Sequence, residues 1–494
     1  MSYPTQAYSL SLALLTDLYQ LTMAYGYWKT GVLDKEAVFH LYFRKNPFGG
    51  GFTVACGLPY VIDFLENFRL GGDDLAYLAS LKGNDGRPLF EPAFLDYLGG
   101  LRFACDVDAM PEGTVVFPHE PLLRVQGPIL QGQVLETALL NILNFQTLIA
   151  TKAARVCLAA QGDPVIEFGL RRAQGFDGAL AASRAAYVGG CAATSNVLAA
   201  KLFDIPARGT HAHSWVVSFD DELESFHAYA RAMPNNCIFL VDTYDTLEGV
   251  RGAVVAGRRL REQGHEMVGI RLDSGDLAYL SIEARKILDE GGFPDAKIVA
   301  SNDLDEKIIH SLKEQGARID VWGVGTHLVT AYDQPALGGV YKLSAIRRPP
   351  GDWEFKIKLS EQTVKVSNPG IQQVRRFHDG GENLADVIFD VGAPPGPGWV
   401  MVDPLDMTRQ KKVPPGTAFH DLLVPVFRGG RRVYDPPDVH AARQYARQDL
   451  TRFHAGVKRF VNPHQYPVGL EQSLYERKTE LILQARNRRM RGET

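Results

Sequence analysis

The sequence is poor in the features that mark several large functional classes. Cysteine is scarce: Cys56, Cys105, Cys157, Cys191 and Cys237 are scattered, odd in number and never spaced C-x-x-C. This argues against a disulfide framework or a zinc knuckle and for a reducing compartment. No sign of charge dominates, since 53 Lys+Arg stand against 57 Asp+Glu for a net charge of -4. The basic excess of a nucleic-acid binder is therefore missing. Long apolar runs are missing too. The greasiest segment, residues 134–150, carries Glu136, Asn141, Asn144 and Gln146 and reads as a buried helix rather than a membrane span. The apolar stretch from Leu10 to Leu15 is short and no Lys or Arg precedes Lys29, so no secretory signal is legible and the cytoplasm is the expected location. There is no internal repeat. No G-x-G-x-x-G follows a strand pattern, which disfavours a dinucleotide fold.

What is present is ordinary globular material: 494 residues, 45% hydrophobic and 22% charged, enough for about three domain equivalents. Changes of texture divide it into residues 1–130, 131–348 and 349–494. The first part mixes short elements, with strand-like Ala37–Phe43 and Phe52–Cys56 flanking a turn at Asn46–Gly51, then β-rich Gly113–Phe117 and Pro121–Val125. A long helical pattern covers Leu130–Ala160. In the middle part, apolar runs repeatedly end in a polar or glycine cluster and give way to helix. Pro164–Phe168 leads to Gly169–Arg172, Cys237–Val241 to Asp242 and Thr243, and Glu266–Leu272 to Asp273–Asp276. Lys297–Ala300 leads to Ser301–Asp303, and Arg318–Trp322 to Gly323–Thr326. Alternation at this spacing predicts parallel βα units, and polar strand ends predict a barrel with its site on that face. An open doubly wound sheet is the alternative. Beyond Pro349 the chain is loop-rich at 347–351 and 392–398 and ends in a basic helical pattern, Arg477–Arg491, read as a solvated face.

Four strand-end clusters can carry chemistry. Glycines in Gly323-Val-Gly-Thr326 let backbone N–H groups approach an anion, or simply make a turn. Arg271-Leu-Asp-Ser-Gly-Asp276 sets an arginine inside an apolar strand, where it needs an anion or a carboxylate partner. Ser274 or Asp276 can instead cap the next helix. Phe168-Gly-Leu-Arg-Arg172 offers adjacent arginines, suited to phosphate or to a surface ion pair. Gly209-Thr-His-Ala-His213 holds two histidines. No third ligand stands near for zinc; His211 reads as a core or capping residue and His213 as the candidate for nucleophilic or acid–base work. Together these describe an anion-binding barrel mouth with carboxylates able to hold Mg2+ through water. It suits group transfer on a phosphorylated sugar.

These stretches resemble the nicotinate phosphoribosyltransferase family. The resemblance is carried by Thr16-Asp-Leu-Tyr-Gln-Leu-Thr-Met23, Asn46-Pro-Phe48, Glu167-Phe-Gly-Leu-Arg-Arg-Ala-Gln-Gly175, Gly209-Thr-His-Ala-His-Ser214, Arg271-Leu-Asp-Ser-Gly-Asp276, Ser301-Asn302 and Gly323-Val-Gly-Thr326, in family order from residue 16 to about 345. It implies the irregular TIM-like α/β barrel of a type II phosphoribosyltransferase. A second α+β domain would form from the N-terminal segment and later chain, with 349–494 partly packing on the N-terminal part. It also implies a homodimer with shared sites. The implied reaction joins nicotinate to 5-phosphoribosyl 1-pyrophosphate with Mg2+, as the first step of NAD salvage from nicotinate. ATP is the co-substrate, and its hydrolysis drives the step by transient phosphorylation of the histidine matched by His213.

By the same resemblance, Asp273 sits at the sugar or metal and Tyr19 presents its ring to the pyridine. Phe168 covers the other face. Thr210 and Arg271 meet nicotinate, Arg271 at its carboxylate. Arg171 serves the ring pocket or a phosphate, and Gly325 and Thr326 hold the 5-phosphate. On the residues alone, Tyr19 reads as an aromatic packed in the core. Whether Asp242, Asp273 or Asp276 binds metal directly stays open. The related nicotinamide enzyme carries an aspartate where Ser195 stands here, which predicts a preference for the acid. Alternatives are a nicotinamide or quinolinate phosphoribosyltransferase, or a catalytically silent ligand-binding relative.

Overall fold

The apolar runs in the middle of the chain become six short strands in the computed structural model, which describes residues 12–362, 365–396, 398–404 and 406–490. They are β1 (Val165–Glu167), β2 (Ala193–Thr194), β3 (Ile238–Leu240), β4 (Gly269–Leu272), β5 (Lys297–Asn302) and β6 (Val321–Val324). Their order is β2-β1-β6-β5-β4-β3, and every pairing is parallel. Phe239, Leu240, Ile270, Leu272, Ile298, Ala300, Trp322 and Val324 are all fully buried. Strands buried on both faces read as continuous apolar runs, which is why the sequence shows runs rather than alternation. Helices fill the gaps, and acidic or amide side chains start them. Asp245 accepts from Glu248 N at 2.9 Å, Asp276 from Tyr279 N at 3.1 Å, and Asp305 from Lys307 N and Ile308 N, each at 2.9 Å. Asp276 is thus a helix cap.

The six strands form the wall of an irregular α/β barrel. Among the described residues no ladder joins β2 to β3. The segment 207–213 spans that seam. On one side Ala207 makes an isolated parallel bridge to Thr194 of β2. On the other, the His211 ring accepts a hydrogen bond from the backbone N–H of Leu240 in β3 at 3.2 Å.

The chain divides into two compact units. One is residues 149–335, which contains the barrel strands; the other combines residues 1–148 with 336–494. In the latter, a seven-stranded antiparallel sheet interleaves Glu36–Tyr42, Asp106–Ala109 and Leu123–Pro128 with Val340–Arg347, Glu354–Phe355, Val424–Arg428 and Arg431–Arg432. A separate six-stranded sheet uses later chain only, from Gln372 to Glu471. At its heart Arg376 is fully buried against Asp386, with Asp449 3.3 Å away. The C-terminal helix Gln472–Met490 exposes Arg477, paired with Glu480 at 3.2 Å; Arg491, at the end of the expected basic pattern, lies outside the described residues. The segment 134–150 lies in the helices Ile129–Val134 and Glu136–Ala159. No helix among the described residues is long and apolar enough to cross a membrane.

Candidate active site

Arg271 breaks the apolar run of β4, and the fold supplies acceptors all round its guanidinium. Nε donates to Ser301 Oγ at 2.7 Å, and Nη2 to Asp273 Oδ1 at 2.8 Å. Nη1 donates to Thr210 Oγ1 at 3.2 Å and to the His211 carbonyl at 3.3 Å. These partners come from β5, from the exit of β4 and from the seam segment. Arg271 therefore ties three parts of the barrel mouth together, and one N–H of Nη2 has no partner among the described residues. Asp273 also accepts from the Ser301 hydroxyl. Burial pushes its carboxyl up, but the Ser301 hydrogen bond and the Arg271 charge outweigh burial and hold it below the usual carboxylate range. Asp273 is thus an anion beside a cation.

The two histidines of 209–213 part company. His211 is buried, its Nε2 takes the Leu240 N–H, and Tyr229 lies against its ring at 4.7 Å. Burial, with the nearby charges of Arg271 and His213, lowers it to about 4 despite a hydrogen bond to the Ala212 carbonyl. It is a neutral acceptor near neutral pH, which suits a structural role. His213 is partly exposed. Its Nδ1 lies 3.1 Å from Thr243 Oγ1, and its Nε2 lies 3.7 Å from Asp273 Oδ2 and 3.9 Å from Asp242 Oδ1. Asp242 Oδ2 accepts from Asp273 N at 2.9 Å and from Ser274 Oγ at 2.6 Å, whereas its buried Oδ1 has no hydrogen-bond partner among the described residues. Glu222 joins the acidic region: burial and the neighbouring Asp221, Asp242 and Asp245 charges push it up to about 7.

On the far side of the sheet order, Phe168 leaves β1 and hydrogen-bonds through its N–H to the Val324 carbonyl at 2.8 Å. Its ring lies over Gly323. A Cβ there would sit 2.5 Å from Phe168 Cε2, so glycine is required for the ring to take this place. The Arg271 guanidinium is 5.7 Å from the ring centroid, within reach of a cation–π attraction. Gly325 and Thr326 follow β6 directly, and Gly325 packs near the Phe168 carbonyl. Beneath Phe168, Glu167 is fully buried. It accepts from Ser183 Oγ at 2.8 Å, from Thr194 Oγ1 at 2.6 Å and from Gly169 N, locking the exits of β1 and β2. Ser195 follows at the end of β2, its N–H bonded to the Glu167 carbonyl at 2.9 Å.

Phe168, Thr210, His213, Arg271 and Asp273 are thus linked by contacts at one end of the strands, with Gly325 and Thr326 at the adjoining turn. Arg171 and Arg172 are exposed on a short 3₁₀ turn, and their side chains make no hydrogen bond or ion pair among the described residues. Tyr19 belongs to the other compact unit, on the helix Leu18–Lys29, and is 49% exposed, so it does not pack in the core. Sequence reasoning did not assign Ser301, Thr243 or Glu167 a part in the site. Each lies within two residues of the end of an apolar run, which is the signal that would have found them.

Three family profiles match the chain. They are described as the nicotinate phosphoribosyltransferase N-terminal domain over residues 14–144, the nicotinate phosphoribosyltransferase family over 164–348, and the C-terminal domain over 371–478. A nicotinate phosphoribosyltransferase of Bacillus subtilis is 45% identical over 488 residues, covering 97% of this chain and 96% of its own. Nicotinate phosphoribosyltransferase 1 of Arabidopsis thaliana is 39% identical, covering 94% of this chain and 92% of its own. Among solved structures, human nicotinic acid phosphoribosyltransferase superposes with a TM-score of 0.81 at 33% identity, covering 95% of this chain and all of the human one.

Proposed function

Because the chain belongs to the nicotinate phosphoribosyltransferase family, we propose that it joins nicotinate to 5-phosphoribosyl 1-pyrophosphate, giving nicotinate mononucleotide and pyrophosphate. ATP hydrolysis drives the step through transient phosphorylation of His213. The observation that carries this reading is the arginine inside β4, ringed by Thr210, Ser301 and Asp273, with His213 Nε2 3.7 Å from Asp273.

The chemistry suits these side chains. The pyridine nitrogen already holds a lone pair, so attack on the sugar needs no general base. The barrier lies in departure of pyrophosphate from an oxocarbenium-like ribose, a charge distribution shared with glycoside hydrolysis. Asp273, kept anionic by Ser301 and Arg271, stabilises that developing positive charge. Arg271 and Thr210 receive the nicotinate carboxylate, and Phe168 offers its ring to the pyridine. Gly325 and Thr326 present backbone N–H groups to the 5-phosphate. Arg171, exposed on its turn, serves the ring pocket or a phosphate. In a homodimer with shared sites, Tyr19 of one subunit stacks on the pyridine in the other.

Mg2+ fits the donor set. Asp242 keeps a buried carboxylate oxygen without a hydrogen-bond partner among the described residues, and Asp273 lies beside it; Mg2+ favours one or two carboxylates plus substrate phosphates. Asp242 and Asp273 would hold it, and when bound it supplies charge neutralisation for the leaving pyrophosphate. His213, exposed on one side and fixed by Thr243 on the other, is accessible to the terminal phosphate of a nucleotide. The setting is the cytoplasm, at the entry of nicotinate into NAD salvage.

Pyrophosphate release with Mg2+ and phosphoribosyl pyrophosphate tests the reading. Activity is expected with nicotinate, raised by ATP, and little with nicotinamide, since Ser195 offers no carboxylate in the ring pocket. Comparable turnover of nicotinamide would move the chain to the sister activity. Binding without pyrophosphate release would make it a silent relative. His213→Ala is expected to lose most of the ATP stimulation while a reduced basal transfer survives. ATP coupling that persists in this variant would exclude His213 as the phosphorylated residue.

A further inference from the structure

His327 is a side chain that the functional reading leaves unused, and it stands immediately after Thr326. Its Nδ1 lies 3.3 Å from Asp305 Oδ2. Asp305 is itself fixed, because its other oxygen accepts from Lys307 N and Ile308 N at the start of the helix Glu306–Glu314. Tyr332 stacks on the imidazole with centroids 4.5 Å apart and planes 5° apart. One ring nitrogen and one ring face are thereby committed, and only the Nε2 edge is left. Nε2 has no hydrogen-bond partner among the described residues, and the side chain is partly exposed. A carboxylate on Nδ1 orients the ring and holds a proton on that nitrogen, and Nε2 becomes a donor when the ring takes up a second proton together with an arriving phosphate.

The surroundings make such a donor useful. The loops leaving β5 and β6 are acidic, with Asp303, Asp305 and Asp333. Asp333 feels the charge of His327 but is itself held by Lys152 at 2.9 Å. Lys152 in turn serves the buried Glu306 at 2.6 Å. Arg271 is already engaged by Asp273. A phosphate dianion entering the Gly325–Thr326 turn meets these carboxylates, and the free Nε2 edge next to that turn is where a donor would offset them.

We infer that His327 is a substrate-binding residue whose Nε2, aimed by Asp305 and Tyr332, donates to the 5-phosphate of the phosphoribosyl substrate. This rests on the functional reading above, and the test separates the two. The full-length protein is titrated calorimetrically, in Mg2+, with phosphoribosyl pyrophosphate, with ribose 5-phosphate and with inorganic pyrophosphate. His327→Asn keeps a donor near the Nδ1 position, and so the Asp305 contact, but loses Nε2; His327→Gln reaches the Nε2 position. Affinity for ribose 5-phosphate and for phosphoribosyl pyrophosphate is expected to drop about five- to tenfold in His327→Asn. Pyrophosphate affinity should stay unchanged, and His327→Gln should recover part of the loss. In turnover, KM for phosphoribosyl pyrophosphate should rise more than kcat falls. Native-like affinity for ribose 5-phosphate in His327→Asn would overturn the inference. So would a larger loss in His327→Gln than in His327→Asn, which would mark a role limited to holding Asp305. A native protein that binds no phosphoribosyl pyrophosphate would overturn the functional reading and this inference with it.

Discussion

Arg271→Ala is expected to lower kcat/KM for nicotinate by on the order of a hundred- to a thousandfold. The substitution removes the cation that meets the substrate carboxylate. It also strips Asp273, Ser301 and Thr210 of the donor they share. Truncating one member of a desolvated, hydrogen-bonded charge pair costs about 2–5 kcal/mol, and each 1.4 kcal/mol is about tenfold. Arg271→Lys should rescue little, because one ammonium cannot reach Ser301, Thr210, the His211 carbonyl and Asp273 at once. Steady-state kinetics with nicotinate as the varied substrate read the effect. If the sites are shared, mixing Arg271→Ala with Tyr19→Ala subunits restores one working site per mixed dimer, whereas each variant alone stays impaired. Near-native kcat/KM in Arg271→Ala would remove the carboxylate assignment. Failure of mixed dimers to regain activity would count against Tyr19 acting across subunits.

Asp386→Asn is expected to destabilise the fold by about 3 kcal/mol, read from the midpoint of urea unfolding. Asp386 and Arg376 have fully buried side chains, and Arg376 binds Asp386 through both Nε and Nη2. Tyr466 adds a hydrogen bond to the same carboxylate at 3.0 Å. Removing one buried ion leaves the other uncompensated, a loss of about 3–5 kcal/mol; the lower end applies because Asp449 still lies 3.3 Å from Arg376. Nearby, Glu120 is pushed well above the usual carboxylate range, first by burial and then by the charge and hydrogen bond of Asp386. A carboxyl raised in the native state stabilises fully below the ordinary glutamate range, and that contribution is lost as pH rises. Asp386→Asn removes the anion and weakens this loss, so its deficit should narrow from mildly acid to neutral pH. An unchanged urea midpoint would show that Arg376 is satisfied without Asp386.

Much of the barrel was legible because strands buried on both faces leave continuous apolar runs, and their polar ends mark the exits. Arg271 stood out for the same reason: a charge inside such a run demands a partner. Its partner was not legible, since a carboxylate two residues on and a bound anion answer that demand equally well. The two histidines of Gly209-Thr-His-Ala-His213 differ by two positions, yet one became a neutral core acceptor and the other a partly exposed ring. In the sequence they already read as a core or capping residue and a candidate for chemistry, and the Leu240 N–H of β3 with the Tyr229 ring is what holds His211. His327 gave no pattern at all, because Asp305 and Tyr332 reach it from different parts of the chain or from the next turn.

The sequence by itself determined the family, the alternation of strand and helix, and the residue types at the strand ends. Each is a local property, read from runs, caps and motifs within a few residues of one another. The tertiary structure decided which side chains meet. It set Phe168 over Gly323, closed the seam between β2 and β3 with the segment 207–213, and surrounded Arg271 with acceptors from separate elements. Those outcomes depend on contacts between residues up to about 155 positions apart, and no local pattern encodes which of many such pairs the packed fold brings together.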